Sequence, residues 1–407
     1  MKQLYFLTIF ILIFFPFGEL MRFSLGNAIF LKPLDFIVTC AAILFTVLVF
    51  FKKIRTQSFY VAPIALFSGI GLLSLLLNSY WLQFPEFITS FLYLIRWISY
   101  SCFLLLILFL DKKKKIKIRS LALSVGAVIL LIGFIQYLYY PSLKPYIGQG
   151  WDEHMHRLFA VFLDPNFAGA FFVLYLIFVA GELYRRGKLI SDSTLFFKSK
   201  MNILLCTLCF LTLLAILLTF SRAALLMLFV STGVFCILIQ KKKIFFGLLA
   251  VIFCFFVSIS SQFYIENINI FREASSKARI ANYITALGII SSKPFIGVGF
   301  NSYRYAKTNI GVPSNWTGAP SHADAGVDNS YLFVWATTGI IGLLAYIWLW
   351  WRIMNRSLTI FKKYHSPQSI VVLSSISGLF INALFINSLF FPACLLWTYL
   401  MIGIQEE

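Results

Sequence analysis

Apolar residues occupy most of the chain in long runs, and short polar segments separate these runs. Twelve runs approach the roughly 20 residues that a helix needs to cross the hydrocarbon layer of a membrane. They cover residues 2–18, 33–51, 60–79, 87–110, 120–140, 166–184, 202–220, 223–240, 244–260, 331–351, 368–387 and 389–404. The pattern predicts an all-α polytopic membrane protein with about 12 transmembrane helices, forming a single integral membrane domain over residues 1–407.

The composition agrees with this interpretation. Of the 407 residues, 60% are hydrophobic and 12% are charged, whereas soluble domains contain roughly 45–50% apolar residues. The excess of apolar residues excludes a soluble globular class for this chain.

The basic residues predict the orientation of the chain in the membrane. Their clusters fall in alternate loops, and the positive-inside rule assigns those loops to the cytoplasm. The clusters lie at 52–55, 112–119, 185–200, 241–243 and 352–363. Both termini are then cytoplasmic, while a minor outer loop, 141–165, and a large outer loop, 261–330, face outward. Because this distribution explains the formal charge of +19, we predict no nucleic-acid partner.

Cysteine and histidine usage points to no cofactor. The seven cysteines lie inside predicted spans, so a disulfide framework in the outer loops is not indicated. His154 and His156 stand near acidic residues, but no second histidine cluster accompanies them, and chance or glycan contact explains them better than a metal. We therefore predict neither a metal nor a cofactor.

Most of the polar chemistry falls in the large outer loop. Apolar residues recur at helical spacing over 272–292, which predicts an amphipathic helix at the outer membrane surface. Lys293-Pro294 ends this helix, and Gly297 and Gly299 mark a turn that requires the conformational freedom of glycine. Such glycines alone indicate a tight turn without ligand contact.

Polar residues also mark the outer ends of other spans. Arg157 precedes the segment Asp164-Pro165-Asn166, which can cap and begin a helix. Ser221-Arg222 occupies a short turn, where the arginine either snorkels to the headgroups or serves a site. Asp328 stands before another span, as either an N-cap or a functional carboxylate.

Taken in order, these motifs resemble the O-antigen ligase and O-antigen polymerase superfamily, most clearly over residues 120–345. The motifs are Arg157 with Pro165-Asn166, Ser221-Arg222, Arg279 with Pro294, Gly297 and Gly299, and Asp328-Asn329-Ser330-Tyr331-Leu332 with Gly339 downstream. The resemblance implies a helical fold like that of lipid-dependent glycosyltransferases, with one large outer loop that contains short helices.

The resemblance also implies a reaction. Members transfer a glycan from undecaprenyl diphosphate to an acceptor hydroxyl at the outer face of the bacterial inner membrane, and release the lipid diphosphate. The implied products are O-antigen, capsule or exopolysaccharide chains. The implied partners are the undecaprenyl-diphosphate-linked glycan donor, a glycan or lipid-linked acceptor, membrane lipids, a flippase and a chain-length regulator.

One position departs from the ligases. Ligase relatives have a histidine where this chain has Asp328, beside the asparagine that is kept here as Asn329. The departure favours polymerisation of repeat units over ligation to lipid A core, and His322 is the alternative base. Transfer to a protein hydroxyl would use the same site. A transporter of lipid-linked glycans is the competing class, but transporters usually place binding residues at mid-membrane within repeated halves, a pattern that this sequence lacks.

The residue types suit glycan transfer. Arginine offers phosphate a fixed fork of donors, so Arg157, Arg222 and Arg279 are the predicted diphosphate ligands. Asp328 is the predicted general base for the acceptor hydroxyl. Glycan binding or loop shaping is expected of Asn166, Gly297, Gly299, Asn329 and Tyr283.

Overall fold

The computed structural model describes residues 2–24, 30–51, 59–189, 198–262, 269, 273–310 and 325–405. Its helices are α1 (Lys2–Phe14), α2 (Pro33–Phe51), α3 (Val61–Leu77), α4 (Phe84–Leu108), α5 (Lys112–Tyr139), α6 (Pro165–Leu189), α7 (Lys200–Leu218), α8 (Arg222–Leu238), α9 (Lys242–Ile259), α10 (Ala274–Ser292), α11 (Tyr303–Asn309), α12 (Ser330–Tyr364), α13 (Pro367–Asn382) and α14 (Pro392–Gly403). Short 3₁₀ helices lie at Phe15–Phe17, Ser79–Trp81, Lys144–Gln149, Ala160–Phe162 and Ser260–Gln262. Two-residue strands, β1 (Phe23–Ser24) and β2 (Phe30–Leu31), pair antiparallel.

The helices agree with the predicted spans. Among the described residues, seven helices are long and apolar enough to cross a membrane by length and composition: α2, α4, α5, α6, α7, α9 and α12. Five shorter apolar helices, α1, α3, α8, α13 and α14, fall on the remaining predicted runs. The structure thus confirms a helical polytopic membrane protein, while the number of twelve crossings stays a prediction.

Two helices extend beyond their apolar runs. α5 begins at Lys112 rather than near residue 120, because the Asp111 carboxylate caps it by accepting from the Lys114 N–H at 2.9 Å. α12 continues to Tyr364 rather than ending near residue 351, so a stretch predicted as a basic loop is helical. Hydropathy predicts the apolar part of each helix, but capping and solvated polar turns decide where the helix ends.

α6 occupies the centre of the bundle. Its apolar window is 72% buried, and it packs against α7, α8, α13 and α14. By contrast, the apolar window of α9 is 0% buried, and this helix lies along α8 at the periphery. The segment that precedes α6 is therefore attached to the most buried of the membrane-length helices.

α12 contains a break at Gly339, where the segment 294–299 approaches it. Gly339 has φ 68° and ψ −177°, a conformation that only glycine adopts without strain. A Cβ atom at this position would lie 2.1 Å from the carbonyl oxygen of Phe295. Gly297, with φ 74°, faces the break from the other side, and its Cβ would lie 2.5 Å from the carbonyl carbon of Thr337. Both glycines permit two backbones to touch.

Hydrogen bonds across the break replace those that α12 loses. They run from the Val298 N–H to the Ala336 carbonyl (2.9 Å), from the Gly299 N–H to the Thr337 carbonyl (3.1 Å) and from the Ile340 N–H to the Pro294 carbonyl (2.9 Å). Ser74 of α3 adds a hydroxyl that donates to the carbonyls of Ile296 (2.7 Å) and Thr337 (2.9 Å). Since an unpaired backbone group is costly in a membrane, this exchange of partners is what stabilises the broken helix.

Asn78, just after α3, ties the end of α10 to the same segment. Its side-chain amide donates to the carbonyl of Gly297 at 3.0 Å. Its side-chain oxygen accepts from the Lys293 ammonium at 2.6 Å and from the Trp81 indole at 3.2 Å. Lys293 directly follows α10, so the position of that helix depends on the contact between segment 294–299 and α12.

We predict that Gly339→Ala destabilises the protein strongly. The substitution adds an atom that overlaps the Phe295 carbonyl and forces a side chain into a left-handed conformation, so the free energy of unfolding should fall by more than about 2 kcal/mol. Thermal unfolding in detergent measures the effect. Gly69→Ala in α3 is the matched control, because no atom lies within 4 Å of its added Cβ. Equal melting temperatures for the two variants would contradict the packing argument.

Candidate active site

A chain of electrostatic interactions connects most of the predicted site residues. The charge of Arg279 on α10 acts on Asp328 and on Arg222, the first residue of α8. The charge of Asp164, which precedes α6, also acts on Asp328, and Arg157 acts on Asp164. These interactions thus connect Arg279 on α10 with residues at the starts of α6, α8 and α12. His322 lies outside the described residues.

The backbone of Asp328 is held by two neighbouring residues of α10. Its N–H donates to the side-chain oxygen of Asn282 at 3.0 Å. Its carbonyl accepts from the hydroxyl of Tyr283 at 3.1 Å. Within the described part of the chain, no hydrogen bond occupies the Asp328 carboxylate. The main chain is therefore fixed while the side chain stays available for chemistry.

The N-cap of α12 is Asn329 rather than Asp328, which corrects one of the two interpretations of Asp328. The side-chain oxygen of Asn329 accepts from the N–H groups of Tyr331 (2.9 Å) and Leu332 (3.0 Å). The amide of the same residue donates to the carbonyl of Leu384 at 3.2 Å. Because the cap is supplied by its neighbour, capping does not account for the carboxylate of Asp328.

Tyr283 joins three parts of the site. Its hydroxyl donates to the carbonyls of Asp328 and Leu384, so α10 is linked both to the start of α12 and to the turn that follows α13. Burial raises the pKa of Tyr283, as does the charge of Asp328, while Arg279 acts in the opposite direction. These contacts give Tyr283 a positioning role in addition to the aromatic face predicted from its sequence.

The ionisation of Asp328 is tuned by its surroundings. Burial raises the pKa of this carboxyl to about 6, against the charge of Arg279, which lowers it. The negative charges of Asp164 and Asp152 raise it further. A carboxylate with a pKa near the working pH is a better proton acceptor than an ordinary exposed aspartate and is still ionised at neutral pH.

Arg157 is buried and helps to build the region around Arg222. Only 3% of its surface is exposed. Its Nε donates to the carbonyl of Thr219 at 2.8 Å, and its Nη1 lies 3.5 Å from Nδ1 of His154. Thr219 belongs to the turn between α7 and α8, so Arg157 fixes the turn that carries Arg222. The positive charge of Arg157 also acts on Asp164.

Asn166 links α6 to the same turn. Its side-chain oxygen accepts from the hydroxyl of Ser221 at 2.9 Å, and Ser221 in turn caps α8. Asp164 caps α6 by accepting from the N–H groups of Asn166 (2.6 Å) and Phe167 (3.0 Å). Burial acts to raise the pKa of Asp164, but His154, the Phe167 N–H and Arg157 hold it below the usual value.

Sequence reasoning missed several residues that position the site. Gln136 of α5 accepts from the N–H groups of Phe159 (2.8 Å) and Ala160 (3.0 Å), which orders the segment after Arg157. A polar residue within an apolar span is the signal that would have found it. Asn282 has no comparable signal, because an asparagine on an amphipathic helix is ordinary on the solvated face.

Gly297 and Gly299 have the positive φ values, 74° and 107°, that the turn interpretation requires. The structure brings both into contact with α12 at its break. Their part in the site is therefore indirect. They set the position of α10, which contains Arg279, relative to α12, which begins just after Asp328.

Comparison with known proteins identifies one protein-family match. Residues 207–347 match the family model described as O-Antigen ligase. The matched segment contains Arg222, Arg279 and Asp328, whereas Arg157 and Asn166 precede it. A search of curated proteins finds no match.

The match covers the part of the chain that contains three of the four motifs on which the resemblance was based. It implies a membrane enzyme of the glycosyltransferase type. The family match confirms the resemblance predicted from the sequence and supports assignment of this chain to the O-antigen ligase and O-antigen polymerase superfamily.

Proposed function

We propose that this chain transfers an undecaprenyl-diphosphate-linked oligosaccharide onto an acceptor hydroxyl, and thereby polymerises O-antigen, capsule or exopolysaccharide repeat units. The proposal rests on the Asp328 carboxylate. This group does not cap α12. Its pKa is about 6, and the charge of Arg279 acts on it. The site would face outward from the bacterial inner membrane, in keeping with the predicted orientation.

In the proposed step, the acceptor hydroxyl oxygen attacks the anomeric carbon of the donor. The bond between that carbon and the diphosphate oxygen breaks, and the diphosphate leaves with the bonding electrons. Asp328 accepts the proton of the hydroxyl. General-base assistance of this kind is typically worth about 10² to 10⁴ in rate. No nucleotide sugar takes part, because the lipid diphosphate is the leaving group.

Arg279 and Arg222 are the proposed ligands of the diphosphate. The charge of Arg279 acts on Arg222, which is why the two are assigned to one dianionic group. A bound diphosphate would offset the repulsion between the two like charges. Arginine is suited to the role because its planar fork can donate two hydrogen bonds to one phosphate.

Polymerisation is favoured over ligation because an aspartate occupies the position of the ligase histidine. A transporter is less well supported. Discontinuous helices in transporters line a substrate site near mid-membrane, but the break in α12 is filled by the segment 294–299, whose backbone satisfies it. Transfer to a protein hydroxyl would use the same residues and differs only in the acceptor.

The variant Asp328→Asn tests the proposed function. Asparagine keeps the size of the side chain but cannot accept the proton, and Asn329 continues to cap α12. Transfer of purified undecaprenyl-diphosphate-linked repeat units in liposomes should slow by about 10²-fold or more, while the melting temperature changes little. His322→Gln is the comparison for the alternative base. An active Asp328→Asn enzyme together with an inactive His322→Gln enzyme would remove Asp328 from the mechanism.

The pH dependence of transfer provides a second prediction. Since the base must be ionised, kcat/KM for the donor should rise with pH through about 6 and level off above it. Asp164→Asn removes a negative charge that raises the pKa of Asp328, so the rising limb should move to lower pH. Asparagine also preserves the cap of α6. A limb that stays in place in this variant would show that Asp328 is not the titrating group.

Arg279→Lys tests the diphosphate contact. Lysine keeps the charge but loses the fork of donors, so transfer should fall by at least about tenfold at normal expression. The matched control is Lys277→Arg on the same helix, where the native side chain is 78% exposed and pairs with Glu273. If Arg279→Lys transfers glycan at the rate of this control, Arg279 is a membrane anchor and not a ligand of the diphosphate.

A further inference from the structure

The connection between α13 and α14, residues 383–391, contacts three of the elements that form the candidate site. The carbonyl of Leu384 accepts from the hydroxyl of Tyr283 on α10, and from the amide of Asn329, which caps α12, at 3.2 Å. The ring of Phe391 stacks on the ring of Phe167 in α6, with the centroids 3.9 Å apart. We name residues 383–391 the α13–α14 connection. None of its residues takes part in the proposed transfer step.

Ser330, the first residue of α12, holds the backbone of the α13–α14 connection. Its N–H donates to the carbonyl of Ala383 at 2.8 Å. Its hydroxyl donates to the carbonyl of Ile386 at 3.4 Å and accepts from the N–H of Leu389 at 3.2 Å. Ser330 follows Asp328 by two residues, so these bonds place the α13–α14 connection beside the start of α12.

Asn387 of this connection lies next to the residues that lead to Asp328. Its Nδ2 would lie 3.3 Å from a Cβ atom added at Gly326, two residues before Asp328. The side chain is half-buried, and its Oδ1 has no hydrogen-bond partner among the residues that the structure describes. An asparagine amide both donates and accepts hydrogen bonds, as does a sugar hydroxyl. A hydroxyl group of a bound glycan can therefore pair with Asn387.

The packing of α6 places the end of α13 where α8 begins. A Cβ atom at Gly169, near the start of α6, would lie 2.5 Å from the Cβ atom of Ala224 in the first turn of α8. A Cβ atom at Gly181, near the other end of α6, would lie 2.1 Å from the Cγ2 atom of Val371, near the start of α13. Because α13 begins beside the end of α6, it runs antiparallel to α6 and ends near the start of α8.

Asn382, the last residue of α13, lies on the face of that helix that packs against α8. A Cβ atom at Gly378 would lie 2.7 Å from the carbonyl oxygen of Met227 in α8, and residues four apart share a helix face. Asn382 is one turn nearer to the end of the bundle where Arg222 begins α8. It is 0% exposed, and both polar atoms of its side chain lack a hydrogen-bond partner within the described part of the chain. The α13–α14 connection thus leads from the vicinity of Arg222 to that of Asp328.

The sugar of the donor has to lie between these two places. In the proposed step, its anomeric carbon is bonded to the diphosphate that Arg222 and Arg279 would hold. The same carbon is attacked by the hydroxyl group that Asp328 would deprotonate. The α13–α14 connection therefore follows the line from the leaving group to the base.

We propose that the α13–α14 connection binds the sugar that is attached to the diphosphate, and that the amide of Asn387 forms a hydrogen bond with one hydroxyl group of this sugar. Asn387 would thereby select donors by their first sugar. The match to the family model ends at residue 347, before this connection. The inference rests on the proposed function and adds to it a residue that determines donor specificity.

The variant Asn387→Ala tests the contact through two ligands, undecaprenyl diphosphate and the undecaprenyl-diphosphate-linked repeat unit. Isothermal titration calorimetry on the protein in nanodiscs measures both affinities. The variant should bind the glycan-linked donor about three- to tenfold more weakly, as expected for one neutral hydrogen bond, and should bind bare undecaprenyl diphosphate normally. Asn355→Ala is the matched control, because Asn355 is exposed in the last third of α12. Melting temperatures verify folding.

Donors that lack single hydroxyl groups on the first sugar separate a direct contact from a general loosening of the site. The native protein should lose about the same factor in affinity for one of these donors, and Asn387→Ala should bind that donor and the complete donor equally. If Asn387→Ala weakens every donor by the same factor, the residue acts through the fold and the proposal is overturned. Asn387→Leu, which keeps the size of the side chain, replaces the alanine variant if the latter unfolds.

Arg279→Gln distinguishes this inference from the proposed function, since it should weaken both ligands. If it does so while Asn387→Ala weakens neither, the sugar contact is overturned and the proposed function stands. Equal weakening of both ligands by Asn387→Ala would assign the loss to the diphosphate and would also overturn the sugar contact. If Arg279→Gln weakens neither ligand, the diphosphate site is overturned, and the placement of the donor sugar is overturned with it.

Discussion

The contact between the segment 294–299 and the break in α12 determines how the rest of the site is arranged. A helix interrupted inside an apolar bundle must find other partners for its backbone groups, since the hydrocarbon layer supplies none. The partners come from a segment about 40 residues earlier, and Gly297 and Gly339 permit the approach. The same contact fixes α10 against α12. The positions of Arg279 and Asp328 relative to each other are therefore defined, although a long stretch of chain separates the two residues.

The charged residues depend on this scaffold in a second way. Asp328 is partly buried, and burial alone would favour its neutral form. The charge of Arg279 opposes that effect, and the balance leaves a pKa of about 6. Had α10 moved away, the carboxyl would have remained protonated at higher pH. The side chains of Asn282 and Tyr283 bind the backbone of Asp328 and so hold α10 beside this residue. These contacts maintain the ionisation of Asp328 as well as its position.

Much of the helical fold was predictable from the sequence, because the membrane imposes a length and a hydropathy on each crossing. The turn at Gly297 and the end of α10 after Ser292 also follow from local rules for glycine and proline. The break at Gly339 does not, since a glycine within an apolar run is compatible with a continuous helix. Its cause is a distant segment. Likewise, Asp328 and Asn329 are both good N-caps, and only the folded structure shows that Asn329 has that role.

The proposed reaction couples the two charged groups of the site. A diphosphate bound by Arg279 and Arg222 would bring negative charge toward Asp328. It would weaken the electrostatic stabilisation that Arg279 gives to the ionised carboxylate. The pKa of Asp328 should then rise, which makes it a stronger proton acceptor at the moment when the acceptor hydroxyl attacks. Departure of the lipid diphosphate would restore the full effect of Arg279 on Asp328 and lower the affinity of the carboxylate for the proton. Donor binding would thus prepare the base, and product release would reset it.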